Sequence, residues 1–194
     1  MELNIKNKTA LITGGSKGIG LAIKEALKKE GVNVISWSRT EGVNLEKEIP
    51  NLPKCDILIN NFGGNENLIE HWKTMYKNYY VAYELTNQFL NQKRKWGRVI
   101  TISSKAGKER TFNPLLIPYT ASKSAQIAFM KSFSGLKENK GITFNTICPG
   151  PINTHKEFGK PEDVANIVTF LCSDLASHID GATITVDGGE SHSF

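Results

Sequence analysis

The sequence predicts an α/β fold built on a doubly wound, mostly parallel sheet. Three observations predict it. Thr9-Ala10-Leu11-Ile12-Thr13 is a short apolar, β-branched run of the kind that forms a strand covered on both faces. It passes directly into the glycine-rich stretch Gly14-Gly15-Ser16-Lys17-Gly18-Ile19-Gly20, after which Leu21 to Glu30 reads as a helix, with Ile19, Ala22, Ile23, Ala26 and Leu27 at helical spacing. Short apolar runs and helix-period segments then alternate along the chain, as strand–helix–strand units require.

The elements follow in order. Val32 to Ser36 is the second strand and ends in Trp37-Ser38-Arg39-Thr40. Val43 to Leu45 is expected to stand in for a third strand, and Ile57 to Ile59 is a fourth, running into Asn60-Asn61-Phe62-Gly63-Gly64. So little chain separates these strands that the helices between them are expected to be lost or reduced to turns. One face of the sheet should then be thinly covered there unless a second subunit covers it. Glu70 to Gln92 reads as a long helix offering Trp72, Met75, Tyr79, Tyr83, Leu85, Phe89 and Leu90 as apolar surface. Gly97 to Ile102 is the fifth strand, ending at Ser103-Ser104, and Ala121 to Lys137 is a helix packed through Ala125, Ala128, Phe129 and Phe133. Ile142 to Ile147 is the sixth strand, Val164 to Cys172 a helix, and Ala182 to Val186 a seventh strand closing at Asp187-Gly188-Gly189. The tail from Glu190 to Phe194 is expected to be flexible unless it docks on a neighbouring subunit.

With 194 residues and 39% hydrophobic content, the chain suits one domain, 1–194, with a sizeable core. MELNIKNK does not read as a signal peptide, and no apolar run approaches the ~18 residues of a membrane span, so a cytoplasmic protein with no membrane partner is expected. Cys55, Cys148 and Cys172 are odd in number and fall in or beside strands and helices, which fits reduced, buried thiols. The net charge of +5 and pI of about 9.0 come from scattered Lys and Arg with no basic stripe, so nucleic acid is not an expected partner; the charge favours phosphate-bearing ligands. His71, His155, His178 and His192 stand apart from Cys and carboxylate partners, and no metal site is expected.

Two stretches carry chemistry. A glycine-rich turn between a strand and a helix lets the backbone approach a pyrophosphate, while the helix N-terminus supplies unpaired N–H groups and a positive dipole. In Tyr119-Thr120-Ala121-Ser122-Lys123 the Tyr and Lys lie one helical turn apart on the same face. A phenol beside an ammonium is expected to have its pKa lowered from ~10, which makes it a proton donor suited to carbonyl reduction.

TGGSKGIG near the start, NNFGG at 60–64, the Ser pair at 103–104, YTASK at 119–123, PGPINT at 149–154 and VDGG at 186–189 come in the order found in the short-chain dehydrogenase/reductases. The chain resembles that family over essentially its whole length. The resemblance implies a Rossmann-like, seven-stranded fold and a catalytic set of Asn78, Ser104, Tyr119 and Lys123. Ser104 would donate to the substrate oxygen, Tyr119 would protonate it, Lys123 would hold the nicotinamide ribose, and Asn78 would kink its helix and hold a proton-relay water. It further implies cofactor contacts from Gly14, Ser16, Lys17, Gly18, Ile19 and Gly20, from Asn44, Asn61 and Gly63, and from Pro149, Gly150, Ile152 and Thr154, with Tyr119 and Lys123 shared. Phe62 departs from the family's Ala and puts the local geometry of its loop in question. Only His155 to Gly159 follow Thr154 before Lys160, so a minimal substrate lid is expected.

The end of the second strand bears on the cofactor. An acidic residue in Trp37-Ser38-Arg39-Thr40 would bind a ribose 2′-hydroxyl and repel a 2′-phosphate. The stretch offers Ser38 and Arg39 instead, with Lys17 as a second cation, so NADP(H) is expected over NAD(H). The expected substrate is a small-molecule or carrier-linked carbonyl compound, such as a 3-oxoacyl thioester or a sugar derivative. The expected assembly is a homodimer or homotetramer through helices 70–92 and 120–137. Two other readings stay open: an NADP(H)-binding sensor without turnover, and a sugar-nucleotide epimerase or dehydratase.

Overall fold

The computed structural model describes residues 2–66, 70–152 and 159–193. Six strands form one parallel sheet: β1 (Thr9–Thr13), β2 (Asn33–Trp37), β3 (Ile57–Asn60), β4 (Gly97–Ile102), β5 (Ile142–Pro149) and β6 (Thr183–Val186), in the spatial order β2-β1-β3-β4-β5-β6. The order reverses between β1 and β3, and the carboxyl ends of those two strands flank the crevice where such folds bind ligands.

Alternation along the strands builds two cores. Ala10 and Ile12, Ile57 and Ile59, and Ile100 and Ile102 face one side, where α1 (Gly18–Lys29) and α5 (Pro161–Leu171) cover them with Ile23, Leu27, Val164, Val168 and Leu171. Leu11, Leu58 and Val99 face the other side, under Val81, Leu85 and Phe89 and under Phe129 and Met130. Those residues belong to α3 (Val81–Asn91) and α4 (Ile117–Phe133). Both faces are buried, so the strands read as continuous apolar runs.

The expected third strand does not form, and the sheet has six strands where seven were expected. Arg39–Glu41 make a single 3-10 turn, ended by Gly42 at φ +86°, and the Asn44 side chain then accepts from Glu46 N at 3.1 Å to hold another turn. Residues 43–55 cross the sheet face as an irregular segment and bury Leu45, Leu52 and Cys55 in the second core. That face is therefore covered by the chain itself.

The segment expected as one helix over 70–92 is continuous but not uniform. α2 (His71–Met75) passes into a π-helical turn at Tyr76–Tyr80 and then into α3. Such one-residue bulges free a carbonyl from the helical ladder and cluster at functional sites. α4 starts at Ile117, so it carries Tyr119 as expected, and stops at Phe133, short of the expected Lys137, where Ser134 turns extended and Gly135 adopts φ +75°.

Candidate active site

The glycine turn is fitted closely to its neighbours. Gly14 at φ +72° and Gly18 at φ +54° occupy backbone conformations that favour glycine. A Cβ on Gly20 would collide with the Gly14 carbonyl and lie 2.6 Å from Asn61 Nδ2. Asn61 fixes the turn from the β3 side, donating Nδ2 to Thr13 O at 3.0 Å and Gly14 O at 3.1 Å. Thr13 Oγ1 accepts from Asn61 N at 3.0 Å and Phe62 N at 2.9 Å. Ser16 is half-buried, Lys17 is exposed and extended before α1, and Ile19 packs against the first core. The bare backbone and the start of a 12-residue helix suit a pyrophosphate.

Ser104, Tyr119 and Lys123 converge at the carboxyl end of β4. The Ser104 hydroxyl faces the Tyr119 phenol closely enough to favour its ionised form, and its Oγ accepts from Ala106 N at 3.2 Å. Lys123 Nζ lies 5.6 Å from the Tyr119 ring centroid and donates to Ile102 O at 3.0 Å. Burial pushes the Lys123 amine down from 10.5 to about 7. Burial also raises the Tyr119 phenol above its ordinary value, opposed by the nearby Ser104 hydroxyl. The lowered phenol expected from the Tyr–Lys spacing is thus reversed in direction, because desolvation of both groups dominates. Ser103 turns away, donating to Lys123 O at 2.9 Å and so pinning β4 to α4.

Asn78 sits in the π-helical turn, fully buried. Its Nδ2 donates to Gly64 O at 2.7 Å, Thr74 O at 3.0 Å and Ser122 Oγ at 3.0 Å, while its Oδ1 accepts from Gly64 N at 3.0 Å. Gly63 approaches this amide so closely that a Cβ would collide with Oδ1 and stand 3.7 Å from Lys123 Nζ. Phe62 leaves the cleft and packs into the second core. Pro149 ends β5, Gly150 N donates to Val186 O at 3.0 Å, and Ile152 bridges to Gly159.

Comparison with known proteins decides what this geometry belongs to. The family described as short chain dehydrogenase matches residues 8–52 and 44–163, and the family described as Enoyl-(Acyl carrier protein) reductase matches 154–191. The 3-oxoacyl-[acyl-carrier-protein] reductase FabG of Buchnera aphidicola is 34% identical over 242 positions, covering 96% of this chain and 98% of the relative. The chain is a short-chain dehydrogenase/reductase. Other members of this oxidoreductase family that it resembles are FabG of Aquifex aeolicus, at 32% identity over 97% of this chain and 99% of the relative, and the acetoacetyl-CoA reductase of Shinella zoogloeoides, at 29% identity over 95% of this chain and 98% of the relative. Its fold matches the crystal structure of BdcA in complex with NADPH at a TM-score of 0.82 and 26% identity, over 95% of this chain and 94% of that one.

Within this dehydrogenase/reductase scaffold, some residues singled out from the sequence stand apart from the catalytic cluster or lie outside the described residues. Asn44 lies in the turn after Gly42, with its side-chain oxygen engaged locally. Thr154 and His155 lie outside the described residues. The tail docks on its own chain: Glu190 pairs with Lys105 at 2.6 Å, and Glu109 accepts from His192 N at 2.6 Å. Two residues were missed by sequence reasoning. Gln126 donates Nε2 to the Asn78 carbonyl in the π turn at 2.6 Å; its place on α4, three residues after Lys123, was the available signal. Glu41 falls just beyond the stretch read for acidic residues, and its side chain folds back onto Ser36 and Ser38 at the end of β2.

Proposed function

We propose that this protein is an NADPH-dependent ketoreductase that reduces a carbonyl on a 3-oxoacyl thioester, carrier-linked or small. The observation that carries the reading is the Ser104–Tyr119 hydroxyl pair, backed one helical turn on by the buried amine of Lys123. Similarity to 3-oxoacyl-[acyl-carrier-protein] reductases and to an acetoacetyl-CoA reductase supports the substrate class. The NADPH-bound neighbour supports the cofactor, as do Arg39 and Lys17, both exposed at the edge of the glycine turn.

A bound nicotinamide supplies the hydride. The chain's own residues handle the oxygen. Ser104 and Tyr119 donate to the substrate carbonyl oxygen as negative charge builds there, and Tyr119 gives up its proton to form the alcohol. A phenol raised by burial stays protonated at neutral pH, which suits a proton donor. Lys123, poised near neutrality, stabilises the resulting phenolate and returns a proton to it. Asn78 holds the loop at Gly64, and its carbonyl, already taking one bond from Gln126, keeps a second lone pair for a relay water. Gly14, Gly18 and Gly20 leave the backbone open for the cofactor phosphates.

Tyr119→Phe tests the acid. Turnover of a 3-oxoacyl thioester should fall by at least about a thousandfold, while NADPH binding, read by fluorescence titration, should change little. A variant that kept most of its activity would remove Tyr119 from the role. Trp72 at 59% and Tyr80 at 48% exposure favour pairing through the 70–92 surface, as a dimer or tetramer. Sedimentation velocity giving a monomer at assay concentration would exclude that assembly.

A further inference from the structure

Three donors converge on one carboxylate at the open end of β2. Glu41 Oε2 accepts from Ser36 Oγ at 2.7 Å and from Ser38 Oγ at 2.5 Å. Its Oε1 takes Lys24 Nζ, from α1, at 2.8 Å. The cluster sits against the glycine turn, because a Cβ on Gly15 would collide with Ser36 Oγ. These contacts hold the Glu41 carboxyl down at about 2 against the cost of desolvation, so it is an anion at any working pH. Two hydroxyls and an ammonium beside a glycine turn make the donor set that suits a phosphate monoester. Here that set is filled by the chain's own side chain, two residues after Arg39.

We propose that Glu41 is an internal stand-in for the cofactor's 2′-phosphate, and that it sets how far the protein favours NADPH over NADH. The proposal rests on the NADP(H) reading above. Ser38 cannot give its proton both to Glu41 and to an incoming phosphate, since a hydroxyl has one to donate. For a 2′-phosphate to take Ser38, the Glu41 side chain must release it, or two anions must share the site with Lys24 between them. Either route weakens NADPH binding, whereas NADH, which carries a neutral hydroxyl there, brings no second anion to the site. Arg39 and Lys17 attract the phosphate while Glu41 opposes it, so the preference is a difference between opposed charges.

The test is a set of fluorescence titrations with NADPH and NADH on the wild type, Glu41→Gln and Glu41→Ala, with Arg39→Gln as a probe of the underlying reading. Glu41→Gln keeps the shape, removes the charge and frees Lys24. It should tighten NADPH by about tenfold and leave NADH within about twofold. Glu41→Ala should shift the ratio in the same direction, and melting curves confirm that both variants are folded. The same contrast should appear with 2′,5′-ADP against 5′-ADP, which removes the nicotinamide from the comparison. A wild type that prefers NADPH, with a ratio unmoved by both substitutions, overturns the role of Glu41 and leaves the cofactor reading standing. A wild type that binds NADH at least as tightly, with Arg39→Gln silent, overturns the cofactor reading. In that case a gain of NADPH affinity in Glu41→Gln still supports the stand-in, and no gain sinks both.

Discussion

Lys123 is expected to cost the fold stability in order to sit beside Tyr119, and the cost should depend on pH in a calculable way. Burial takes its pKa from 10.5 to about 7. The folded value lies below the unfolded one, so between them the unfolded chain holds the extra proton and stability rises with pH. At about 1.4 kcal/mol per pH unit, the penalty is about 4–5 kcal/mol at or below pH 7 and about 2 kcal/mol at pH 9. Lys123→Met removes the titrating group and keeps most of the volume. It also strips Ile102 O of the donor it has at 3.0 Å, a loss of about 1–3 kcal/mol that does not vary with pH. The quantity to measure is therefore the stability of the variant minus that of the wild type, from urea denaturation. It should fall by about 2.5 kcal/mol between about pH 6 and about pH 9. A difference that stays flat across that range would refute the assignment of a strongly desolvated amine. The same variant should reduce no substrate, so stability gained at low pH and activity lost would come from one side chain.

Two further outcomes are expected. Gly63→Ala should lower the melting temperature and activity together, by about 1–3 kcal/mol in stability, because its Cβ collides with Asn78 Oδ1; Gly64→Ala, with nothing within 4 Å, should be nearly silent in thermal melts. All three cysteines are buried with thiols pushed up, Cys55 and Cys148 to about 11 and Cys172 to about 12, so native protein should resist a thiol reagent at about pH 8 and release three equivalents only in denaturant. Rapid native labelling of Cys148 would mean that the floor of the cleft opens to solvent.

The fold class and the meeting of Tyr119 with Lys123 were legible because both depend on local pattern. A strand buried on both faces leaves a run such as Ala10-Leu11-Ile12, and a Tyr and a Lys four apart on a helix share a face whatever surrounds them. The failures share a different cause. Val43 to Leu45 looks like a strand in isolation, but whether it pairs depends on where Gly42 and Asn44 send the chain and on what waits across the sheet face. The direction of the Tyr119 shift depends on how deeply the phenol and amine are desolvated, which spacing does not encode. Glu41 was passed over because it lies beyond the strand end, and only the 3-10 turn at Arg39–Glu41 brings its carboxylate back to Ser36 and Ser38.

The clipped half of the sheet shows what can be removed from this fold without touching the cleft. Residues 43–55 cover Leu11 and Leu58 with Leu45, Leu52 and Cys55, and the donors of the site lie at the ends of β1, β3, β4 and β5 and in the π turn. An irregular segment lying on a core has backbone groups that neither a helix nor a sheet satisfies. Two glutamines, Gln88 on α3 and Gln92 just past its end, satisfy them here. Gln88 Oε1 accepts from Leu52 N at 2.8 Å, and Gln92 Nε2 donates to Leu52 O at 3.0 Å and Pro53 O at 3.1 Å. Glu84 holds Gln88 from the preceding turn at 3.2 Å. One polar edge of α3 thus replaces the hydrogen bonding that intervening helices would have supplied for themselves. The comparison with FabG spans 242 positions against a chain of 194 residues, so the relative carries segments this chain lacks. Every side chain proposed to move a proton lies at a strand end or on a helix.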